Sequence, residues 1–226
     1  MSGETYLITG VNRGIGRGLF DLYVAQANNI VIAAVRNIEG AQGLLSAPRG
    51  DKTQVLLAKI NSASRTDPFQ AVKVLEGQGV DHIDVVISSA GMVKMITIEN
   101  LPLEEFEEVL QVNAFSVILL YQATLPLLRK AVAPVRFAFI SAAGGNAWLP
   151  YPNISYAGFK ALANVAVIKM GMENDWLITL CIHPGLVQTD MGNEGARTFG
   201  LPEAPITLEA SSKNTAYIVT ITICSS

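Results

Sequence analysis

The sequence predicts a doubly wound α/β fold, a mostly parallel sheet with helices on both faces. Short β-branched runs alternate with longer helical patterns along all but the end of the chain, the order that right-handed βαβ crossovers produce. The apolar run Tyr6-Leu7-Ile8 breaks into Thr9-Gly10-Val11-Asn12-Arg13-Gly14-Ile15-Gly16 and reopens as a helical pattern. Half of the residues are hydrophobic and only 15% are charged, which fits strands buried on both faces.

The elements follow in order. Thr5–Thr9 reads as the first strand and Gly16–Gln26 as the helix behind the glycine turn. Ile30–Val35 is the second strand and Gln54–Ile60 the third, followed by a helix near Pro68–Gln78. Ile83–Ser88 is the fourth strand, ending at Ser89-Ala90-Gly91. A long helical pattern starts at Leu103 and runs to Ala131, with Pro126 expected to bend its later part. Val135–Ile140, Tyr156–Met172 and Leu177–Ile182 give a strand, a helix and a sixth strand. Leu208–Ala216 has helical character, but Tyr217–Ile223 is dense in β-branched residues and reads either as a seventh strand or as a poor helix. The 226 residues form one Rossmann-type domain by this reading, with no repeat or linker.

Several function classes are disfavoured. The most apolar stretch, Ala114–Leu128, is short for a membrane span and contains Ser116, Gln122 and Pro126. No basic segment leads into an apolar one at the start, so no secretory signal is expected. The net charge of −3 argues against nucleic-acid binding. Cys181 and Cys224 lack metal-ligand spacing, and Cys181 reads as a small core residue in an apolar run. A reduced, cytoplasmic protein without a metal is expected.

Glycines at 10, 14 and 16 let a backbone turn tightly and approach phosphates, while the following helix N-terminus offers free N–H groups. A plain tight turn is the alternative, but the strand before and helix after favour a nucleotide. An NAD site places an acid at the end of the second strand to hold the ribose 2′-hydroxyl. Here that strand ends Ala34-Val35-Arg36-Asn37. A guanidinium there binds a 2′-phosphate, and Arg13 in the glycine turn reaches for the same group. Either arginine alone is equally well a solvated surface charge; together, without the acid, they point to NADP(H).

Tyr156 and Lys160 lie four residues apart, on one face of a helix. A nearby ammonium stabilises a phenolate and lowers the phenol pKa. Such a phenol exchanges a proton with a carbonyl or alcohol oxygen while hydride moves at a nicotinamide. The pair is common on helices by chance, and gains meaning only behind a nucleotide-binding first half.

With these motifs the chain resembles the short-chain dehydrogenase/reductase family from Thr5 to Met191. The resemblance rests on the glycine turn, Ser88-Ser89-Ala90-Gly91, Asn113, a serine after the fifth strand, Tyr156 with Lys160, and His183-Pro184-Gly185-Leu186-Val187-Gln188-Thr189. The stretch 183–191 and the loop Leu149-Pro150-Tyr151-Pro152-Asn153 are similar to the carbonyl-reductase-like branch, which includes norsolorinic acid ketoreductases.

The resemblance implies that Tyr156 is the general acid of ketone reduction and that Lys160 binds the nicotinamide ribose and depresses the Tyr156 pKa. Asn113 would hold a water in a relay behind Lys160. Gly10, Asn12, Arg13, Gly14, Ile15, Gly16 and Arg36 would hold the phosphate end of the cofactor, with Ser89, Ala90 and Gly91 along it. Pro184, Gly185, Val187 and Thr189 would frame the nicotinamide. The resemblance also implies a homodimer or homotetramer built on the two long helices, whose apolar stripes otherwise simply cover the sheet.

The chain departs from the family pattern in places. Family members carry two serines after the fifth strand, the second catalytic; here the residues are Ser141-Ala142. Either Ser141 orients the substrate carbonyl through a shifted loop, or that hydrogen bond is missing. Asn61 stands where an aspartate commonly contacts adenine and can still accept there through its amide oxygen, so it is kept among the cofactor-binding residues; the final strand is shortened or absent.

The function expected is NADPH-dependent reduction of a bulky or aromatic ketone. Trp148, Leu149, Tyr151 and Ile154 would wall the pocket on one side and Met191–Phe199 on the other. Gly192–Pro205, rich in glycine and proline, reads as a mobile lid. The rivals are a nucleotide-binding sensor or partner protein of this fold with little catalysis, and an epimerase or dehydratase using the same tyrosine and lysine.

Overall fold

Residues 5–9, 30–35 and 135–140 are almost wholly buried, as strands covered on both faces must be. In the computed structural model, which describes residues 3–132, 134–143 and 154–222, they belong to one six-stranded parallel sheet. The strands are β1 (Thr5–Thr9), β2 (Ile30–Val35), β3 (Gln54–Lys59), β4 (Val85–Ser88), β5 (Val135–Ile140) and β6 (Leu177–Ile182). Their order is β3-β2-β1-β4-β5-β6, and every pairing is parallel. The order reverses between β1 and β4, so a crevice opens there at the carboxyl ends of the strands.

Strand residues alternate between the faces. Leu7, Ile32, Val86, Phe137 and Phe139 pack under α2 (Asp67–Gly77), α4 (Ser116–Leu128) and α5 (Ile154–Glu173). Tyr6, Ile8, Val31, Val85 and Ala138 pack under α1 (Gly14–Val24) and α7 (Leu208–Ile221). Fully burying one such side chain is worth about 1.5–3 kcal/mol, so both layers are held by the sheet itself.

The long helical pattern is three segments in one run: α3 (Leu103–Leu110), a π turn at Gln111–Phe115, and α4. The run is 26 residues, long and apolar enough to cross a membrane by composition, with half of its most apolar window buried inside the protein. Val117, Leu120, Leu127 and Leu128 are buried in the core. Pro126 sits inside α4, which ends two residues later.

The structure takes one of the two readings of the last segment and corrects the reading of Cys181. The segment from Leu208 onward is one helix, α7, so Tyr217–Ile221 continues it rather than starting a strand. Ala216 and Val219 bury against Leu19, Phe20 and Tyr23 of α1, and the buried Arg136 Nη1 donates to the Val219 and Thr220 carbonyls at 3.1 and 3.3 Å. Donors at that end satisfy carbonyls that a helix leaves open, and tertiary packing outweighs the weak helix propensity of β-branched residues. Among the described residues, no strand pairs with the outer edge of β6. Cys181 on β6 is consequently exposed, not a core residue; Cys224 lies outside the described residues. Gly192–Pro205 also begins within a helix, α6 (Asp190–Thr198), capped by the Thr189 hydroxyl, which accepts from the Gly192 N–H.

Candidate active site

The crevice between β1 and β4 is assembled by backbone contacts. Gly10 has φ +74°, and a Cβ there would stand 2.9 Å from the Ala90 nitrogen, so only glycine lets the turn lie against the end of β4. Thr9 Oγ1 accepts from the N–H groups of Ser89 and Ala90, each at 3.0 Å. This clamp carries the 89–91 segment alongside the glycine turn.

The segment then meets the helical residues. A Cβ on Gly91 would lie 3.0 Å from Asn113 Oδ1 and 3.7 Å from Lys160 Nζ, so Gly91, Asn113 and Lys160 converge. Asn113 is fully buried in the π turn. Its Oδ1 accepts from the Met92 N–H at 3.0 Å and its Nδ2 donates to the Met92 carbonyl at 2.7 Å. The side chain thus fixes the backbone beyond Gly91, where the resemblance implied a water-holding role.

Lys160 is buried on α5 and donates to the Ile140 carbonyl at 2.7 Å. Its Nζ lies 4.4 Å from the Phe139 ring centre and 5.6 Å from that of Tyr156. Burial alone pulls the Lys160 pKa down to about 7 and pushes the Tyr156 phenol up to about 12. Loss of water disfavours the charged form of each group. The shift at Tyr156 has burial as its cause and runs opposite to the lowering expected from Lys160.

Of the two readings open for Ser141, the hydrogen bonds here favour the missing substrate bond. Its hydroxyl donates to Asn164 Oδ1 on α5 at 2.7 Å, and its N–H to the Ile182 carbonyl at 2.8 Å. The serine is buried and ties β5 to α5 and β6, leaving its one hydroxyl hydrogen committed away from a substrate oxygen. Next to it, His183 Nδ1 accepts from the Ala143 N–H at 3.1 Å. Burial lowers the His183 pKa, and a neutral ring accepting at Nδ1 carries its proton on Nε2.

The loop after β6 is similarly braced. The Pro184 carbonyl accepts from Ser211 Oγ on α7 at 2.9 Å. Gly185 packs its bare Cα against Ile206, and Val187 bridges to Ile206. Thr189 donates its N–H to the Val187 carbonyl at 2.7 Å. Arg13, the residue before α1, pairs with Asp190, and Arg36 is exposed past the end of β2. Asn61 uses its Oδ1 to accept from Ala63 N–H at 3.1 Å, so that oxygen shapes its own turn. Ile15 is half-buried, Asn12 is exposed, and Gly16 is buried against the Gly10 carbonyl. Trp148, Leu149 and Tyr151, expected to wall the pocket, lie outside the described residues, as does the side chain of Ile154.

Sequence reasoning missed Thr9, His183, Asn164 and Ser211 as site-building residues. Thr9 and His183 stood inside quoted motifs, where a hydroxyl beside a glycine turn or an imidazole before Pro-Gly is a usable signal. Asn164 and Ser211 have partners distant in sequence and left no local signal.

Residues 4–198 match the family model for short chain dehydrogenase. The chain belongs to the short-chain dehydrogenase/reductase family of oxidoreductases. It is 39% identical over 215 residues to the norsolorinic acid ketoreductase stcE of Emericella nidulans, covering 91% of this chain and 81% of that protein. It is 40% identical to the norsolorinic acid ketoreductase nor1 of Dothistroma septosporum, over 92% of this chain and 81% of the relative. Among solved structures of the short-chain dehydrogenase fold, NADPH bound carbonyl reductase from chicken fatty liver superposes with a TM-score of 0.83. It is 25% identical and covers 99% of this chain and 93% of that one.

Proposed function

We propose that this chain reduces a ketone to an alcohol with NADPH, using Tyr156 as general acid. The observation that carries the reading is the pairing of half-buried Tyr156 with buried Lys160, with Lys160 Nζ fixed 2.7 Å from the Ile140 carbonyl beside the cradle formed by Gly10 and Gly91. The residues fit a dinucleotide: a Cβ on Gly91 would stand 3.0 Å from Asn113 Oδ1 and 3.7 Å from Lys160 Nζ, so glycine keeps the backbone close to both, and Arg13 and Arg36 stand exposed in the glycine turn and past the β2 end. The names of the two ketoreductase relatives and of the NADPH-bound carbonyl reductase support the same choice.

When bound, the cofactor would supply hydride to the carbonyl carbon. Tyr156 gives its proton to the carbonyl oxygen; a phenol held up to about 12 is protonated at neutral pH, as a general acid must be. Lys160 keeps one donor on Ile140 and directs its others to the ribose hydroxyls. Its charge offsets the charge developing on the Tyr156 oxygen. His183 holds Ala143 and Asn164 holds Ser141 just past the end of β5. The apolar residues of α6 and its end, Met191, Phe199 and Leu201, support a bulky ketone.

Ser141 bonded to Asn164, with Ala142 following, favours a second reading: a nucleotide-binding protein of this fold with feeble catalysis. Losing one oxyanion-type donor costs about 10²–10³ in rate. NADPH oxidation with a panel of aromatic ketones separates the two. Turnover that falls at least about a hundredfold in Tyr156→Phe supports the reductase. Tight NADPH binding with no turnover supports the second reading, and unchanged turnover in Tyr156→Phe removes the proposed role of the tyrosine.

A further inference from the structure

The glycine turn and the start of α6 are tied together across the mouth of the crevice. Arg13 Nη1 lies 3.0 Å from Asp190 Oδ2, with the side chains 80% and 84% exposed. The packing beneath is consistent, since Thr189 Cγ2 stands 3.4 Å from where a Cβ on Gly14 would be. Thr189 caps α6 through the Gly192 N–H at 3.0 Å, so the position of Asp190 is set by the helix and not by its partner. The guanidinium assigned above to a 2′-phosphate therefore already has an anionic partner within the chain.

We infer that Asp190 competes with the 2′-phosphate for Arg13 and thereby sets how strongly the site prefers NADPH over NADH. The inference rests on the cofactor reading above. A carboxylate and a phosphate ester are both acceptors for the guanidinium fork, and the phosphate, with the larger charge, displaces the carboxylate. NADH has no group to offer there and leaves the Arg13–Asp190 pair closed. Asp190 thus weakens NADPH binding without touching NADH, so its carboxylate narrows the preference that Arg13 and Arg36 create. An exposed ion pair is weak, so the competition is modest and reversible.

The test is calorimetric: dissociation constants of NADPH and NADH for wild type, Asp190→Asn, Arg13→Gln and the double variant. The expected result is NADPH binding about two- to fivefold tighter in Asp190→Asn, with NADH unmoved. In the Arg13→Gln background, Asp190→Asn should change neither. An unchanged NADPH constant in Asp190→Asn overturns the inference, as does equal tightening of both cofactors or an effect that survives Arg13→Gln. If wild type binds the two cofactors equally and Arg13→Gln leaves that equality intact, the cofactor reading fails as well. If Arg13→Gln erases a preference that Asp190→Asn leaves alone, only the competition fails.

Discussion

Ser141 gives its hydroxyl hydrogen to Asn164 at 2.7 Å, joining the end of β5 to the middle of α5. The bond fixes the strand end next to Ile140, whose carbonyl receives Lys160. The role of Ser141 is therefore to hold the frame in which Lys160 sits.

Ser141→Ala should lower stability by about 1 kcal/mol, the usual worth of one such hydrogen bond, while kcat falls less than about tenfold. Chemical denaturation and steady-state kinetics on the same preparation check this. A loss of about a hundredfold or more in kcat at unchanged stability is the signature of an oxyanion donor, and would return Ser141 to direct catalysis.

Lys160 carries a burial penalty whose pH dependence can be worked out. Its pKa is about 7 in the folded chain, against an ordinary value of 10.5. Below pH 7 the group is charged in both states and the penalty is present in full. Between the two values the unfolded chain holds the extra proton, so stability rises with pH. Lys160→Met should therefore stabilise the fold most at about pH 6, and the gain should shrink toward about pH 10. Reduction should be lost at both. Urea denaturation at the two pH values reads the difference; a gain that grows with pH has the wrong sign.

His183 braces Ala143 only while its Nδ1 is unprotonated. Burial depresses its pKa, so the contact persists through neutral pH and is lost as pH falls through that lowered value. His183→Ala should raise KM more than it lowers kcat, because it frees the backbone at Ala143. His183→Asn, whose side-chain oxygen accepts in place of Nδ1, should restore much of the loss. Kinetic constants across the acid range test this, and equal losses in both variants would rule out the acceptor role.

The strands were the most legible part of the sequence. Ile30–Val35, Val135–Ile140 and Leu177–Ile182 were read to the residue, because a buried parallel strand is a short apolar run with sharp ends. Periodicity sees a helix but not a π turn, so the element that delivers Asn113 to Gly91 was invisible. The end of α7 misleads for a different reason. Tyr217–Ile221 has strand-like composition, and the partners that hold it as a helix, Arg136 and the α1 side chains it packs on, are distant in sequence. Cys181 followed the run rule into the core, yet β6 is the sheet edge among the described residues. In the site, Tyr156, Lys160 and the glycine turn were legible as local motifs, whereas the partner of Ser141 depends on packing of α5 against β5.

The central claim is hydride delivery to a carbonyl carbon with protonation by Tyr156. The most direct measurement follows deuterium from NADPH labelled at the nicotinamide C4, on each face in turn, into the product of an aromatic ketone. The account predicts deuterium at the carbinol carbon from one labelled face only, with one cofactor oxidised per alcohol formed, and transfer at least about a hundredfold slower in Tyr156→Phe. Product formed without net NADPH oxidation, or with the label retained on the cofactor whichever face carries it, would contradict it.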